Sequence, residues 1–288
     1  MSNFLEVADL GDRLDAVVQA TRSIRDDPTI GAGHLAGKQV GLYFALPSLR
    51  TRVSTEVAVR RLGGDPVVLT AEGVGLGERE AIADVARVLS KMIDAIALRD
   101  PSHKRLTELG RYADIPVMNL LSNIAHPCQA LADLATIADH RPIAECTVAY
   151  IGDPNNVARS LAAGVTALGG SMRIGSPARL EADSETFADG TEFHDDPDEA
   201  VAGADVVYTD VWVSMSSEDG GRRKALEGWG VDLARFGRAA NDAIFLHCLP
   251  AHRGEEVASE VMEHPRSRVF EQAEYRLHSF QALLLELL

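Results

Sequence analysis

The sequence predicts an α/β fold: two doubly wound parallel-sheet domains with helices on both faces. Short apolar runs alternate with amphipathic stretches along most of the chain, the pattern that βαβ units require. The rhythm restarts after His140-Arg141-Pro142, which divides the chain into two such units. A length of 288 residues is enough for two domains of ordinary size.

The elements follow in order. Asp9 before Leu10, Leu14, Val17 and Val18 reads as the N-cap of an amphipathic helix. Val40–Ala45 is a strand, and Arg50–Leu62 a helix closed by Gly63-Gly64. Pro66–Thr70 is a strand. Apolar positions at 82, 85, 88, 89, 92 and 93 give Glu80–Ile93 a helical period. Strand Ala95–Leu98, helix Lys104–Tyr112, strand Pro116–Asn119 and helix Pro127–Ala138 complete the first unit. In the second, strand Thr147–Ile151 runs into a turn and then helix Asn155–Leu168, closed by Gly169-Gly170. Ser171–Ile174, Asp205–Thr209 and Ala243–Leu246 are further strands. Asp196–Ala202, Gly254–Glu263 and Ala273–Leu288 are helices. No repeat or low-complexity tract interrupts the pattern.

Composition narrows the function. Hydrophobic residues at 46% and charged residues at 25% describe a globular chain. No apolar run approaches the ~20 residues that span a bilayer, and the first ten residues carry Glu6 and Asp9 without the basic start of a secretory signal. Cys128, Cys146 and Cys248 are scattered and odd in number, which fits a reducing cytoplasm. A net charge of −15 opposes binding to nucleic acid or an anionic membrane. Only Lys38, Lys91, Lys104 and Lys224 are lysines, so the positive charge is mostly arginine, whose planar fork suits phosphate and carboxylate.

Ligands in open parallel sheets bind beyond the carboxyl ends of the strands, so segments directly after strands are the places to look for chemistry. Ser48-Leu49-Arg50-Thr51-Arg52 opens a helix with hydroxyls and two arginines. Cations there oppose the helix macrodipole, and an anionic ligand would compensate them. Arg99 follows a strand; alone it is better explained by a surface ion pair. His126-Pro127-Cys128-Gln129, with Asp133, opens the last helix of the first unit, and places the His126 ring and Gln129 amide one turn apart. His247-Cys248-Leu249-Pro250 ends one strand and Asp210 another. Neighbours on a strand point to opposite faces, which weakens a Cys–His dyad. His126, His247 and His252 lack metal-ligand spacing. Gly152-Asp153-Pro154-Asn155-Asn156 follows a strand but matches neither a dinucleotide fingerprint nor a P-loop.

Taken in order, these segments resemble the aspartate/ornithine carbamoyltransferase family over nearly the whole chain. Ser48-x-Arg50-Thr51-Arg52 is similar to its S-T-R-T-R motif, and His126-Pro-Cys-Gln129-Ala-Leu-Ala-Asp133 to H-P-x-Q-x-L-x-D. Asp210-Val-Trp-Val-Ser214-Met215 and His247-Cys248-Leu249-Pro250 resemble the ornithine branch. The resemblance implies a carbamoyl-phosphate domain over 1–138, joined by a returning C-terminal helix over 270–288, and an amino-acid domain over 139–269. It implies transfer of a carbamoyl group to the δ-amine of ornithine, giving citrulline and phosphate, by a cytoplasmic homotrimer with shared active sites. No metal or organic cofactor is required. On matching positions, Ser48, Arg50, Thr51 and Arg99 would hold the phosphate, with Leu49 in the same stretch. Arg99, Thr51, His126 and Gln129 would polarise the carbamoyl group, and Arg276 would add charge. Asn156, Asp210, Ser214, Met215 and Leu249 would hold the amino acid, with Cys248 and Asp210 flanking the attacking amine.

The chain departs from the family pattern at several positions. Ala45-Leu46-Pro47 replaces a charged segment, and Leu49 removes a hydroxyl. Gly75 stands where Gln or His is common, Asn123 replaces Asp, and Pro154 interrupts G-D-G-N-N. Ser216-Ser217 replaces Gly-Gln, and Tyr275 replaces Asn. Three readings follow: a divergent ornithine carbamoyltransferase, a relative acting on another amine or other acceptor, and a binding or regulatory paralogue with little turnover.

Overall fold

The computed structural model describes residues 3–178, 180, 186–213 and 219–288. The chain divides into two compact units, Met1–Ala135 with Glu274–Leu288, and Thr136–Ala273. Both are α/β, and each is built on a wholly parallel sheet.

The first unit runs α1 (Leu14–Asp26), β1 (Gln39–Phe44), α2 (Leu49–Arg61), β2 (Asp65–Thr70), α3 (Ala71–Val74), α4 (Ile82–Leu89), β3 (Ala95–Arg99), α5 (His103–Tyr112), β4 (Val117–Leu121) and the start of α6 (Pro127–His140). Its sheet has the order β2-β1-β3-β4. Every residue of β3 is buried, as a central parallel strand covered on both faces requires. Tyr43, Ile82, Val85, Ile96, Leu98, Leu106 and Leu109 pack together on one side.

The second unit runs β5 (Thr147–Ile151), α7 (Asn156–Ala167), β6 (Ser171–Gly175), β7 (Thr191–His194), α8 (Pro197–Val201), β8 (Val206–Thr209), α9 (Arg222–Leu226), α10 (Leu233–Phe236), β9 (Ile244–His247) and α11 (Ser259–Met262). Its sheet order is β7-β6-β5-β8-β9. The last helix, α12 (Val269–Leu287), ends among the residues of the first unit. There Arg13 pairs with Glu286 at 2.8 Å and Lys38 Nζ donates to the Leu288 carbonyl at 2.6 Å. Among the described residues no helix is long and apolar enough to cross a membrane.

Each sheet reverses its winding once. β1 lies between β2 and β3, and β5 between β6 and β8. Loops leave such switch points in opposite directions and open a crevice at the strand ends. The crevices fall at Phe44 and Arg99 in the first sheet and at Ile151 and Thr209 in the second.

Some local expectations are corrected. Asp9 is not the N-cap: Glu6 is, and Asp9 lies three residues in, accepting from the Glu6 amide at 2.9 Å. The first turn is a 3-10 helix over Val7–Arg13. Gly254–Glu263 contains only the short helix α11. Gly254 adopts φ 91°, outside the helical region, and its amide donates to the Val257 carbonyl. Strand β7 and helices α9 and α10 carry too few periodic apolar residues to be read from sequence alone.

Candidate active site

In the first unit Ser48 caps α2, its Oγ accepting from the Thr51 amide at 3.3 Å. The cap turns the following residues toward the β1/β3 switch point. Arg52 is drawn away by Glu56, Nε to Oε1 at 2.9 Å. Among the described residues Arg50 has no carboxylate partner. Leu49 is 75% exposed, so the missing hydroxyl lies on an open surface. Arg99 ends β3 and is almost fully buried, its carbonyl accepting from the Ala45 amide.

Arg276 of α12 joins the same half-site. Its Nη2 donates to Thr51 Oγ1 at 2.7 Å and its Nη1 to Gln129 Oε1 at 2.5 Å. Gln129 in turn donates from Nε2 to Asp133 Oδ1 at 2.8 Å. His126 sits fully enclosed beside these groups. Burial first, and then the Arg276 and Arg99 guanidinium charges, push its pKa well below the usual histidine range. It is therefore a neutral ring at physiological pH, able to donate one hydrogen bond without adding charge. Burial also drives the Cys128 thiol up to about 12, so it is a packed side chain whose Sγ donates to the Asn119 carbonyl.

In the second unit Cys248 Sγ donates to Asp210 Oδ1 at 3.0 Å, and Asn155 Nδ2 donates to Asp210 Oδ2 at 3.0 Å. Asn155 is also the N-cap of α7, accepting from the Val157 and Ala158 amides. Asn156, expected to hold the amino acid, is buried on the first turn of α7, and the amide that meets Asp210 is that of Asn155, to which the resemblance does not point. The signal was available, since an Asn at the strand-to-helix turn is a strong cap. Asp153 is held by Arg222 at 3.2 Å, yet burial, the larger effect, raises its pKa. Ser214, Met215 and Ser216 lie outside the described residues.

Behind Cys248 lies a pair the sequence reading left without a role. His247 and Glu256 are fully buried, with Nε2 and Oε1 3.2 Å apart. His247 Nδ1 accepts from the Leu249 amide at 2.9 Å, so the ring proton sits on Nε2 and faces Glu256. Leu249, with φ 58°, is the one non-glycine among the described residues in the left-handed region. Such a backbone persists only where its surroundings fix it. Linear spacing also concealed that ligand atoms of Asp210, His247 and Cys248 lie within 4.8 Å of one another. A soft divalent cation would find donors there, at the expense of the hydrogen bonds just described.

Residues 2–139 match the carbamoyl-phosphate-binding domain of aspartate/ornithine carbamoyltransferase, and residues 144–287 its aspartate/ornithine-binding domain. The chain belongs to the aspartate/ornithine carbamoyltransferase family. It is similar to the ornithine carbamoyltransferase of Acidothermus cellulolyticus, 46% identical over 286 residues, covering 95% of this chain and 92% of that one. Its fold matches the solved ornithine carbamoyltransferase of Pyrococcus furiosus with a TM-score of 0.92 at 40% identity, over 98% of this chain and 95% of the other. The Thermus thermophilus enzyme matches at 0.93 and 39%, over 100% and 99%.

Several departures from the family pattern have local structural partners. Asn123 Oδ1 accepts from the His103 amide at 3.1 Å at the start of α5. Tyr275 is buried, its hydroxyl accepting from Arg25 at 3.1 Å and its ring lying 4.9 Å beneath the same guanidinium. Gly75 ends α3 in the left-handed region at φ 63°, and a Cβ built there would lie 2.7 Å from that of Arg79.

Proposed function

We propose that this carbamoyltransferase moves the carbamoyl group of carbamoyl phosphate onto the δ-amine of ornithine, giving citrulline and phosphate. The observation that carries the acceptor assignment is Asp210, whose two carboxylate oxygens meet only neutral donors in the hydrogen bonds described, Cys248 Sγ and Asn155 Nδ2. A carboxylate so placed has further lone pairs to offer an ammonium or amine ligand. Family membership and the ornithine carbamoyltransferase relatives support the same choice.

In this reading the first unit binds carbamoyl phosphate and the second the amino acid. Ser48, Arg50, Thr51 and Arg99 hold the phosphate, with Leu49 at the rim. Arg276, Thr51 and neutral His126 face the carbonyl oxygen, where negative charge grows as the amine attacks. Donors fixed in advance around that charge are the largest source of acceleration in acyl transfer. The N–C bond forms, the C–O bond to phosphate breaks, and the amine proton leaves with the phosphate. Asp210 and Cys248 orient the scarce neutral amine, and Asn156, Ser214, Met215 and Leu249 hold the rest of the amino acid. Cys248 takes no covalent part. The enzyme works as a cytoplasmic homotrimer in arginine biosynthesis.

The test is phosphate release from carbamoyl phosphate with ornithine, N-acetylornithine, putrescine, lysine and aspartate as acceptors. Ornithine-dependent release with citrulline formed is expected, together with a loss of about 100-fold or more in Asp210→Asn. Turnover only with another acceptor overturns the ornithine assignment. An acyl-enzyme on Cys248 in mass spectra overturns direct attack, and an active monomer in light scattering overturns the trimer.

A further inference from the structure

The turn that follows Pro250 gathers three side chains that the reaction as derived above does not use. The Glu255 amide donates to the His252 carbonyl at 2.9 Å and the Gly254 amide to the Val257 carbonyl at 2.8 Å. Gly254, at φ 91°, makes the reversal. Beyond it the Val231 amide donates to the Glu256 carbonyl and the Ala258 amide to the Val231 carbonyl, both at 2.9 Å, so the turn is anchored on each side. Folded in this way, His252, Glu255 and Glu256 offer ligand atoms that all lie within 4.8 Å of one another. His252 Nδ1 and Glu255 Oε2 are 3.8 Å apart.

Glu256 supplies a second observation. It is completely buried, and its two oxygens differ. Oε1 accepts from the His252 amide and faces His247 Nε2. Oε2 has no hydrogen-bond partner, although it is shut off from solvent. A buried carboxylate oxygen left unmet is costly, and a ligand would relieve that cost. The cluster of Asp210, His247 and Cys248 differs in this respect. There Cys248 Sγ donates to Asp210 and His247 Nδ1 accepts from the Leu249 amide, so a cation would have to break contacts already made.

We propose that His252, Glu255 and Glu256 form a binding site for a first-row divalent cation of the zinc, cobalt or manganese kind, which clamps the turn behind Cys248 and Leu249. One imidazole and two carboxylates suit such an ion, whereas magnesium and calcium favour oxygen ligands throughout. The two carboxylates also match its double charge. Ligands about 2.1 Å from one ion lie at most about 4.2 Å apart, so closing the site asks for a small rotation of the half-exposed His252 and Glu255 side chains. Spacing between histidines does not reveal the site, because only one histidine takes part. Arg223 is the competitor, since its Nη1 holds Glu255 Oε2. The ion is a clamp and takes no step in carbamoyl transfer, so the assignment stands apart from the choice of acceptor.

The experiment is calorimetric titration of the full chain, freed of metal by a chelator, with cobalt(II) chloride, together with visible and near-ultraviolet absorption and thermal unfolding. The variants are His252→Ala, Glu255→Gln, Arg223→Ala and Cys248→Ser. The wild type should bind one cobalt per chain, unfold at a higher temperature with cobalt than without, and show no thiolate-to-cobalt charge-transfer band. His252→Ala should weaken binding by about 100-fold or more, since loss even of a residue that only supports a ligand costs about 10- to 100-fold. Glu255→Gln, a milder surface change that keeps the shape of the side chain, should weaken it by at least about tenfold and carries the test if His252→Ala does not fold. Arg223→Ala, which frees Glu255, should tighten binding. Cys248→Ser should leave affinity and spectrum unchanged. Absence of saturable binding by the wild type overturns the proposal. So does binding that survives His252→Ala but is lost in Cys248→Ser with a thiolate band, which would place the ion at Asp210, His247 and Cys248. Affinity unaltered by Arg223→Ala or by Glu255→Gln removes Glu255 as a ligand and overturns the three-ligand site.

Discussion

At the switch point of the first sheet the chain places Arg50 and Arg99; at that of the second it places Asp153, Asn155 and Asp210. The backbone solution is the same in both units: a parallel strand ends, a capped helix begins, and polar side chains collect at the reversal. The charge is opposite. In the first unit Arg276 is braced by uncharged oxygens of Thr51 and Gln129. In the second Asp153 is neutralised by Arg222, whereas Asp210 is braced by the uncharged donors of Cys248 and Asn155. Each unit thus fixes a charged group in place with uncharged partners among the hydrogen bonds described. The difference in sign suits one unit to an anion and the other to an amine.

The comparison breaks most visibly at Arg276. Arg276→Ala removes a buried guanidinium that touches two elements of the first half-site, and should lower kcat by about 100- to 1,000-fold, the usual cost of one donor to developing charge. A steady-state assay checks this, with circular dichroism to show that α12 still forms. An effect below tenfold would mean that the first half-site does not depend on the last helix.

Glu256→Leu probes the support of the second half-site. It leaves His247 buried without its Nε2 partner, and should cost about 3 kcal/mol of stability, as the loss of one member of a buried pair does. Urea unfolding measures the loss. KM for the acceptor should rise more than KM for carbamoyl phosphate, because Leu249 and Cys248 lose their anchor. Equal changes in both would show that the pair serves packing alone.

The smallest effect concerns His126 and the pH dependence of folding. Its native pKa lies well below the model-compound value of 6.5, through burial and then the two arginine charges. Below pH 6.5 the unfolded chain therefore takes up a proton that the native state refuses, and stability falls as pH falls; above 6.5 the contribution is fully present. Between pH 7.5 and 5.5 the wild type should lose about 1 kcal/mol more than His126→Asn. His278, also lowered by burial, acts in the same direction in both proteins, so the difference isolates His126. Parallel profiles would mean that the ring is reached by water.

Much of this was legible in the sequence because parallel sheets write themselves as continuous apolar runs. Thr147–Ile151 was read with its observed limits, and the first strand and the second helix were displaced by only a residue. The motif residues around 48–52, 126–129 and 247–250 lie after strands, where spacing and chemistry coincide. What escaped depends on contacts between distant residues. Glu256 reads as one acid in an exposed run until the structure shows it buried against His247, in a stretch where the Gly254 backbone leaves the helical region. Asn155 and Asn156 are indistinguishable in composition, and only the capping geometry of α7 decides which faces Asp210.

Gly75 has a bearing on how this sequence can change over generations. With φ 63° and the Arg79 Cβ 2.7 Å from where a side chain would begin, the position admits no other residue while Arg79 stays where it is. Arg79 in turn folds back to the carbonyls of Gly73 and Val74 at 2.9 and 3.3 Å, filling the space the glycine leaves. The two positions are locked together: a mutation at 75 meets an occupied place, and a mutation at 79 strips the turn of its brace. A larger residue at 75 would meet the Cβ that every residue but glycine carries at 79, so exchanging the side chain at 79 would not admit it; the backbone of the turn itself would have to move.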